Sequence, residues 1–248
     1  QSLFFRGMGL VYLLSFVSLF FQVIGLFGSH GILPISTYAE RIISVSKELS
    51  FPSIFLFFNS DTFLITATVM GVISGGLMIV GLLPGITSFV SWVLYLSFVT
   101  VGQEFMSYQW DVLLLEAGFL LLFFVPWGGS IFNQPTKKPS RLILFMLKLL
   151  LFRLMFTAGV VKLISGDNTW KTFMSLDYHF YTQPLPHFMS WYAHQLPLYI
   201  KKIGVGFAFF VELVVPFLFF MPRRPRHLAF LLTTLFMIFI MATGNYGF

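Results

Sequence analysis

The sequence predicts an all-α, polytopic membrane helical bundle, and its composition is the first observation that supports this prediction. Of its 248 residues, 57% are hydrophobic and 10% are charged, whereas a soluble domain carries about 25% charged residues. The 34 Phe residues supply more apolar surface than one soluble core can bury, so the surrounding solvent must be lipid. The net charge of +6 therefore does not indicate a nucleic-acid partner. Because the sequence has no cysteine, disulfides are excluded in this stretch.

The lengths of the apolar runs give the number of spans. A helix needs about 20 apolar residues to cross a hydrocarbon core of roughly 30 Å. We expect about seven spans, within a range of six to eight, in a single transmembrane domain over residues 1–248. The predicted spans are 3–27, 62–83, 86–102, 111–127, 141–164, 202–221 and 226–243.

Two longer segments, 29–61 and 165–201, interrupt the spans. We expect interfacial helices in both, and the Trp and Tyr content of the second suits the headgroup level. The chain begins with Gln1 and stops just after an apolar run. We therefore expect the chain to be a piece of a longer protein.

The basic residues predict the orientation of the chain. With seven spans, the N-terminus shares one side of the membrane with the 128–140 and 222–225 loops, where basic residues occur without acidic ones. These are Arg6, Lys137, Lys138, Arg141, Arg223, Arg224 and Arg226. Short loops dense in Lys and Arg face the cytoplasm. This places the N-terminus in the cytoplasm, and the C-terminus and both long loops in the lumen or periplasm.

Ionisable side chains inside apolar helices are the main candidate functional residues, because a charge in hydrocarbon is costly unless it has a partner. Arg153 and Glu212 lie roughly 16 Å and 15 Å from the lumenal ends of antiparallel helices, which predicts an ion pair between them. Glu116 and Lys162 each lie within roughly two turns of the lumenal side. We expect these two to be close, with Asp111 just above them.

These residues predict a polar cluster at the lumenal mouth of the bundle, roofed by the 165–201 segment. Its expected members are Asp111, Glu116, Lys162, Trp170, His179 and His194. Such a cluster either locks helices together or holds a ligand, and both interpretations stay open. The chain has no HExxH motif and no close His pair, so we predict no metal site.

Several blocks of residues occur in an order that resembles the lipase maturation factor family over nearly the full chain. The blocks are 6–12, 25–34, 108–111, 116–120, 158–166, 179–186, 191–197 and 243–248. The resemblance implies a membrane factor that assists the folding and assembly of secreted lipases or similar exported clients, without a cofactor. It implies the endoplasmic reticulum membrane in a eukaryote, or the inner membrane in a bacterium. It also implies that a lumenal or periplasmic C-terminal domain follows residues 243–248 in the full-length protein.

A shorter block supports an alternative. Ala158-Gly159-x-x-Lys162-Leu163 followed by Trp170 is similar to a motif of vitamin K-dependent gamma-carboxylases, in which a lysine acts as the base on the reduced vitamin. The resemblance implies a membrane enzyme that uses Lys162 as the base on a quinol or lipid, with a quinone or lipid as its bound molecule. A transporter is a third class, but no inverted repeat is present. The client, the organism and the oligomeric state do not follow from the sequence.

Overall fold

The computed structural model describes residues 1–45, 53–127, 129, 139–183, 185 and 187–244, and these residues are helical with no strand. The α-helices of this part are α1 Ser2–Phe27, α2 Ile35–Val45, α3 Asp61–Val80, α4 Pro84–Val101, α5 Gln109–Phe124, α6 Arg141–Ile164, α7 Asn168–Lys171, α8 Ser175–Thr182, α9 Phe188–His194, α10 Leu198–Phe209 and α11 Arg223–Thr243. A π-helical turn, Phe210–Val214, and a 3₁₀ segment, Val215–Phe220, continue α10 directly. The chain forms two compact units, which we call unit 1 (Gln1–Leu144) and unit 2 (Phe145–Phe248).

The polytopic all-α prediction is confirmed. Within the part of the chain that the structure describes, six helices are long and apolar enough to cross a membrane: α1, α3, α4, α6, α10 with its continuation to Phe220, and α11. The predicted 111–127 span corresponds to α5, which has 16 residues. At about 1.5 Å per residue, α5 alone is about 24 Å long and does not reach across a core of about 30 Å.

Helix α5 nevertheless runs antiparallel to α4. Trp92 Nε1 donates a hydrogen bond to the Leu115 carbonyl over 2.9 Å. Beyond the end of α5, the Gly129 carbonyl accepts a 2.8 Å hydrogen bond from the N–H of Leu83, the residue before α4. The chain therefore returns to the level at which α4 begins. We infer that α5, together with the residues that follow it, crosses the same layer as α4.

Unit 1 is built around the close packing of α1 on α3. A Cβ on Gly75 would lie 2.8 Å from the Leu13 nitrogen, and a Cβ on Gly9 would lie 2.6 Å from Met78 Cβ. Small residues let helix backbones approach closely in membranes, where packing replaces the hydrophobic effect as the force between helices. These glycines therefore set the spacing between α1 and α3.

A tight hairpin joins α3 to α4, as the Pro84-Gly85 pair predicts. Helix α3 ends at Gly81, whose φ of 89° lies in the left-handed region that glycine adopts without strain. Pro84 is the first residue of α4, where a missing backbone N–H costs no helical hydrogen bond. Both helix boundaries thus follow directly from local sequence.

Unit 2 packs α6, α10 with its continuation, and α11 around an apolar core. The core residues are Met155, Val211, Val215, Phe219, Ala229 and Phe236. The π-helical turn has a local cause in Pro216, which has no N–H to donate to the carbonyl of Glu212 four residues earlier. Glu212 therefore lies at an irregular turn inside a span, and π turns of this kind often occur at functional sites.

The 165–201 segment folds onto one end of unit 2. Gln183 Nε2 donates to the Thr243 carbonyl at the end of α11 over 3.1 Å. Lys201 Nζ, near the start of α10, donates to the His194 carbonyl over 2.9 Å. The helices α8 and α9 are thus fixed to the ends of two spans.

Several sequence-based predictions concern residues outside the described part of the chain. They are Lys137 and Lys138, residues 46–52 of the 29–61 segment, and residues 245–248 of the last family block.

Candidate functional site

An ion pair inside unit 2 is the centre of the candidate site. Lys162 Nζ, near the end of α6, contacts Glu212 Oε1, in the π-helical turn that follows α10. The Glu212 side chain is 4% exposed and that of Lys162 is 24% exposed. Hydrogen bonds between ionised partners are among the strong ones, especially where water is scarce. The pair therefore fixes α6 against the continuation of α10.

The partner of Glu212 differs from the predicted one. Depth estimates along regular helices paired Glu212 with Arg153, whereas the structure pairs it with Lys162. The reason lies at Gly159, where an added Cβ would be 2.6 Å from Leu213 Cδ2 and 3.0 Å from Glu212 Cβ. Helix α6 therefore lies close to Glu212 at this position. Measured from Gly159 along the axis of α6, Lys162 lies about 4.5 Å towards the C-terminal end of the helix, whereas Arg153 lies about 9 Å towards its N-terminal end. The predicted Arg153–Glu212 pair is therefore corrected to Lys162–Glu212.

Trp170 lies beside the same lysine. Lys162 Nζ is 5.3 Å from the centroid of the Trp170 ring, within the range of a cation–π interaction. The short helix that carries Trp170 begins at Asp167, whose side chain accepts a 2.8 Å hydrogen bond from the Thr169 N–H. The Trp170 ring also packs edge-on against Phe209. The ammonium is thus held between a carboxylate and an aromatic ring.

The second carboxylate oxygen of Glu212 is left without a hydrogen bond. Among the described residues, Glu212 Oε2 is buried and has no hydrogen-bond partner. Buried polar atoms nearly always have a partner, since an unsatisfied one costs free energy. An intramembrane carboxylate in this state is a candidate for a functional role.

Asp111 has a different environment, in unit 1. The Tyr95 hydroxyl donates to Asp111 Oδ1 over 2.5 Å, and the Tyr108 backbone N–H donates to Oδ2 over 3.2 Å. The second bond is part of a capping box at the start of α5. Asp111 is 3% exposed, and both of its oxygens are satisfied. The helix N-terminus also favours its negative charge. Asp111 therefore acts as a helix cap that also ties α5 to α4.

Glu116 lies further along α5 and is half-buried. It belongs to unit 1, whereas Lys162 belongs to unit 2. Their proximity stays a prediction.

His179 and His194 lie in the segment that covers one end of unit 2. Burial lowers the pKa of the His179 imidazole. The carbonyl of His194 accepts a hydrogen bond from Lys201, whose Nζ also contacts Asp177 Oδ1. No local spacing signals the Lys201–Asp177 pair, because its partners are 24 residues apart, and the sequence analysis missed it. Within the described residues, no group of three or more His, Cys, Asp or Glu side chains could hold a metal ion.

The fold and the site together define a multi-span, all-α membrane protein with an ion pair inside one of its helical units. The family model described as "Lipase maturation factor transmembrane domain" matches residues 1–248. The chain belongs to the lipase maturation factor family.

Individual relatives agree with this assignment. Lipase maturation factor 2 of Xenopus laevis is 38% identical, over 100% of this chain and 37% of its own length. The protein of the same name in Gallus gallus is 39% identical, over 100% of this chain and 36% of its own length. Lipase maturation factor 1 of Homo sapiens is 31% identical, over 98% of this chain and 45% of its own length. The chain thus spans less than half the length of these relatives. No solved structure matches it significantly.

Proposed function

We propose that this chain is the membrane-embedded part of a factor that assists the folding and assembly of secreted lipases or similar exported clients. The observation that carries the proposal is the family match over residues 1–248, supported by the relatives' name, lipase maturation factor. Membrane lipids are its immediate partners. A client-binding part of the full-length factor follows this domain on the lumenal or periplasmic side.

The proposed location is the endoplasmic reticulum membrane in a eukaryote, or the inner membrane in a bacterium, with the N-terminus in the cytoplasm. Arg223 and Arg224, at the start of α11, are exposed, as expected for a short cytoplasmic turn. The course of α5 also supports this orientation. If α5 crosses the membrane, the chain crosses seven times, and the 165–201 segment lies on the side opposite the N-terminus.

Within this function, the Lys162–Glu212 pair serves to hold α6 on the continuation of α10. Gly159 supports this role, since it brings the two backbones together one turn before the pair. An ion pair between helices fixes one register, because any slip leaves two charges unpaired in hydrocarbon. A folding factor thus needs the positive charge of Lys162 but no transfer of its proton.

The alternative is a carboxylase-like enzyme in which Lys162 acts as the base on a quinol or lipid. One observation favours it: Glu212 Oε2 finds no hydrogen-bond partner in the described part of the chain, and it lies beside a lysine whose side chain is 24% exposed. A base must first be neutral, however, and a contacting carboxylate stabilises the charged ammonium. The geometry therefore supports the structural role better.

Complementation of cells that lack the factor tests both functions. The full-length factor is expressed as wild type, Lys162→Arg or Lys162→Met, and two quantities are measured: the specific activity of a secreted lipase and the abundance of the factor in the membrane. Arginine keeps the charge and the donors of lysine but does not give up its proton in proteins. We expect Lys162→Arg to support lipase activity within about twofold of wild type, because the free energy of an ion pair depends on charge.

One outcome would count against the proposed function, and another would count against the structural role of Lys162. If the wild-type factor does not raise the specific activity of the lipase, the proposed function is wrong. If Lys162→Arg is abundant yet as inactive as Lys162→Met, the enzyme alternative is favoured.

A further inference from the structure

Helix α9 turns its apolar face away from the protein. Phe188, Trp191 and Tyr192 follow the i, i+3, i+4 spacing and therefore share one face of the helix. They are 69%, 61% and 59% exposed, whereas Ser190, on another face, is 2% exposed. A helix at the surface of a soluble protein has the reverse arrangement. Leaving apolar surface in water forgoes about 25 cal/mol per Å², so this face requires an apolar environment.

The neighbouring helices also carry exposed tyrosines. Tyr178 and Tyr181 on α8 and Tyr199 on α10 are also exposed. We call the six side chains the aromatic face: Tyr178, Tyr181, Phe188, Trp191, Tyr192 and Tyr199. It combines apolar rings with hydroxyl and indole N–H groups, which prefer a boundary between an apolar and a wet phase.

The aromatic face is held in a fixed position within unit 2. Lys201 binds the Asp177 carboxylate on α8 and the His194 carbonyl on α9. Gln183 connects the end of α8 to the end of α11. Both short helices are therefore tied to spans.

Chain continuity sets the level of the aromatic face. The segment that carries it begins after Ile164, at the end of the α6 span, and ends at Leu198, where the α10 span begins. Ile203, one turn after Tyr199 on α10, is also exposed, and inside a span such a side chain faces lipid. The aromatic face thus continues the lipid-facing surface of α10 outward, into the layer where Trp and Tyr are enriched.

We propose that the aromatic face of unit 2 is a membrane-interface anchor, with α9 lying in the phospholipid headgroup layer and Phe188, Trp191 and Tyr192 directed towards the acyl chains. The partner is the lipid surface, because the face combines amphipathic rings with continuity to a lipid-facing span. The proposal is independent of the lipase maturation role.

Site-directed spin labelling tests the anchor, and the absence of native cysteine in the chain makes single labels specific here. The full-length protein, with any cysteines outside this chain replaced, carries Phe188→Cys or, as the reference for lipid exposure, Ile203→Cys. Both are reconstituted in phosphatidylcholine nanodiscs. Collisions of the label with molecular oxygen and with a water-soluble nickel chelate then report its depth. For the label at 188 we expect nickel accessibility at least about threefold below that of free label in buffer, with oxygen accessibility approaching that at 203.

Two results would overturn the proposal. Nickel accessibility at 188 equal to that of free label would place the face in water. Protection from both reagents would place it against protein, either another part of this chain or a second molecule. If Phe188→Cys fails to fold, brominated phosphatidylcholine gives an independent measurement. Trp191→Phe should then remove a quenched component from the tryptophan fluorescence, and an unchanged quenched fraction would contradict the anchor.

Discussion

Two buried carboxylates, one in each unit, differ in how they are satisfied. Asp111 in unit 1 accepts hydrogen bonds on both oxygens from neutral donors, the Tyr95 hydroxyl and the Tyr108 N–H. Glu212 in unit 2 has Oε1 in contact with the Lys162 ammonium, while its Oε2 has no hydrogen-bond partner among the described residues. The comparison shows that burial alone does not identify a site. Asp111 is accounted for by its cap, while Glu212 depends on a single cation across a helix interface.

Loss of Lys162 should have the largest effect, because it leaves Glu212 buried and unpaired. We expect Lys162→Met to lower the free energy of unfolding by about 3–5 kcal/mol, measured by denaturant titration in mixed micelles. Lys148→Met is the matched control on the same helix, and its effect should be well below that of Lys162→Met. Equal losses from the two variants would mean that the pair contributes nothing specific.

The bond between Tyr95 and Asp111 should rank second. Tyr95→Phe removes a hydroxyl that donates to a buried carboxylate, and such a hydrogen bond contributes about 1.5–3 kcal/mol. Tyr12→Phe is the control, since the Tyr12 hydroxyl makes only a 3.5 Å contact with the Leu114 carbonyl. The same micelle titration compares the two variants. A smaller loss for Tyr95→Phe than for Tyr12→Phe would argue against Asp111 as the tie between α4 and α5.

The close approach at Gly159 gives a third test. In Gly159→Ala the new methyl group meets Leu213 and the Cβ of Glu212, so we expect a loss of about 1–3 kcal/mol from overpacking. Gly76→Ala is the control, because nothing lies within 4 Å of its added Cβ. Alanine has the higher helix propensity, so the control should be neutral or slightly stabilising. Stabilisation by both substitutions would show that α6 does not need glycine for its contact with Glu212.

The smallest expected effect is a pH dependence from His179. Burial lowers the pKa of this imidazole below the ordinary value of 6.5, so the unfolded chain binds the proton more readily than the folded one. The contribution of His179 to stability is present above pH 6.5 and is lost as the pH falls towards the folded-state pKa. Melting temperatures between about pH 7 and pH 5 should therefore fall less steeply for His179→Gln than for wild type. Replacing the exposed His227 with Gln should not reproduce the change, and identical slopes for all three proteins would exclude a role for His179.

Much of the fold could be predicted from the sequence, because long apolar runs and Pro-Gly boundaries are local signals. The predicted 111–127 span is less direct, since α5 has 16 residues and its crossing is inferred from its pairing with α4. The site was harder to predict. Depth arithmetic assumes a regular helix, and Pro216 replaces the regular helix around Glu212 with a π turn. The signal that could have found the Lys162 partner is Gly159, a small residue one turn before Lys162 that marks where α6 approaches another helix.

Exchange of the two charges tests most directly whether Lys162 and Glu212 act as a pair. The full-length factor is prepared as Lys162→Glu, as Glu212→Lys and as the double variant, and the free energy of unfolding and the maturation of a secreted lipase are measured for each. We expect each single variant to place two like charges together and to fail in both assays, while the double variant recovers most of the lost stability and activity. A double variant no better than the worse single variant would contradict the pairing of Lys162 with Glu212.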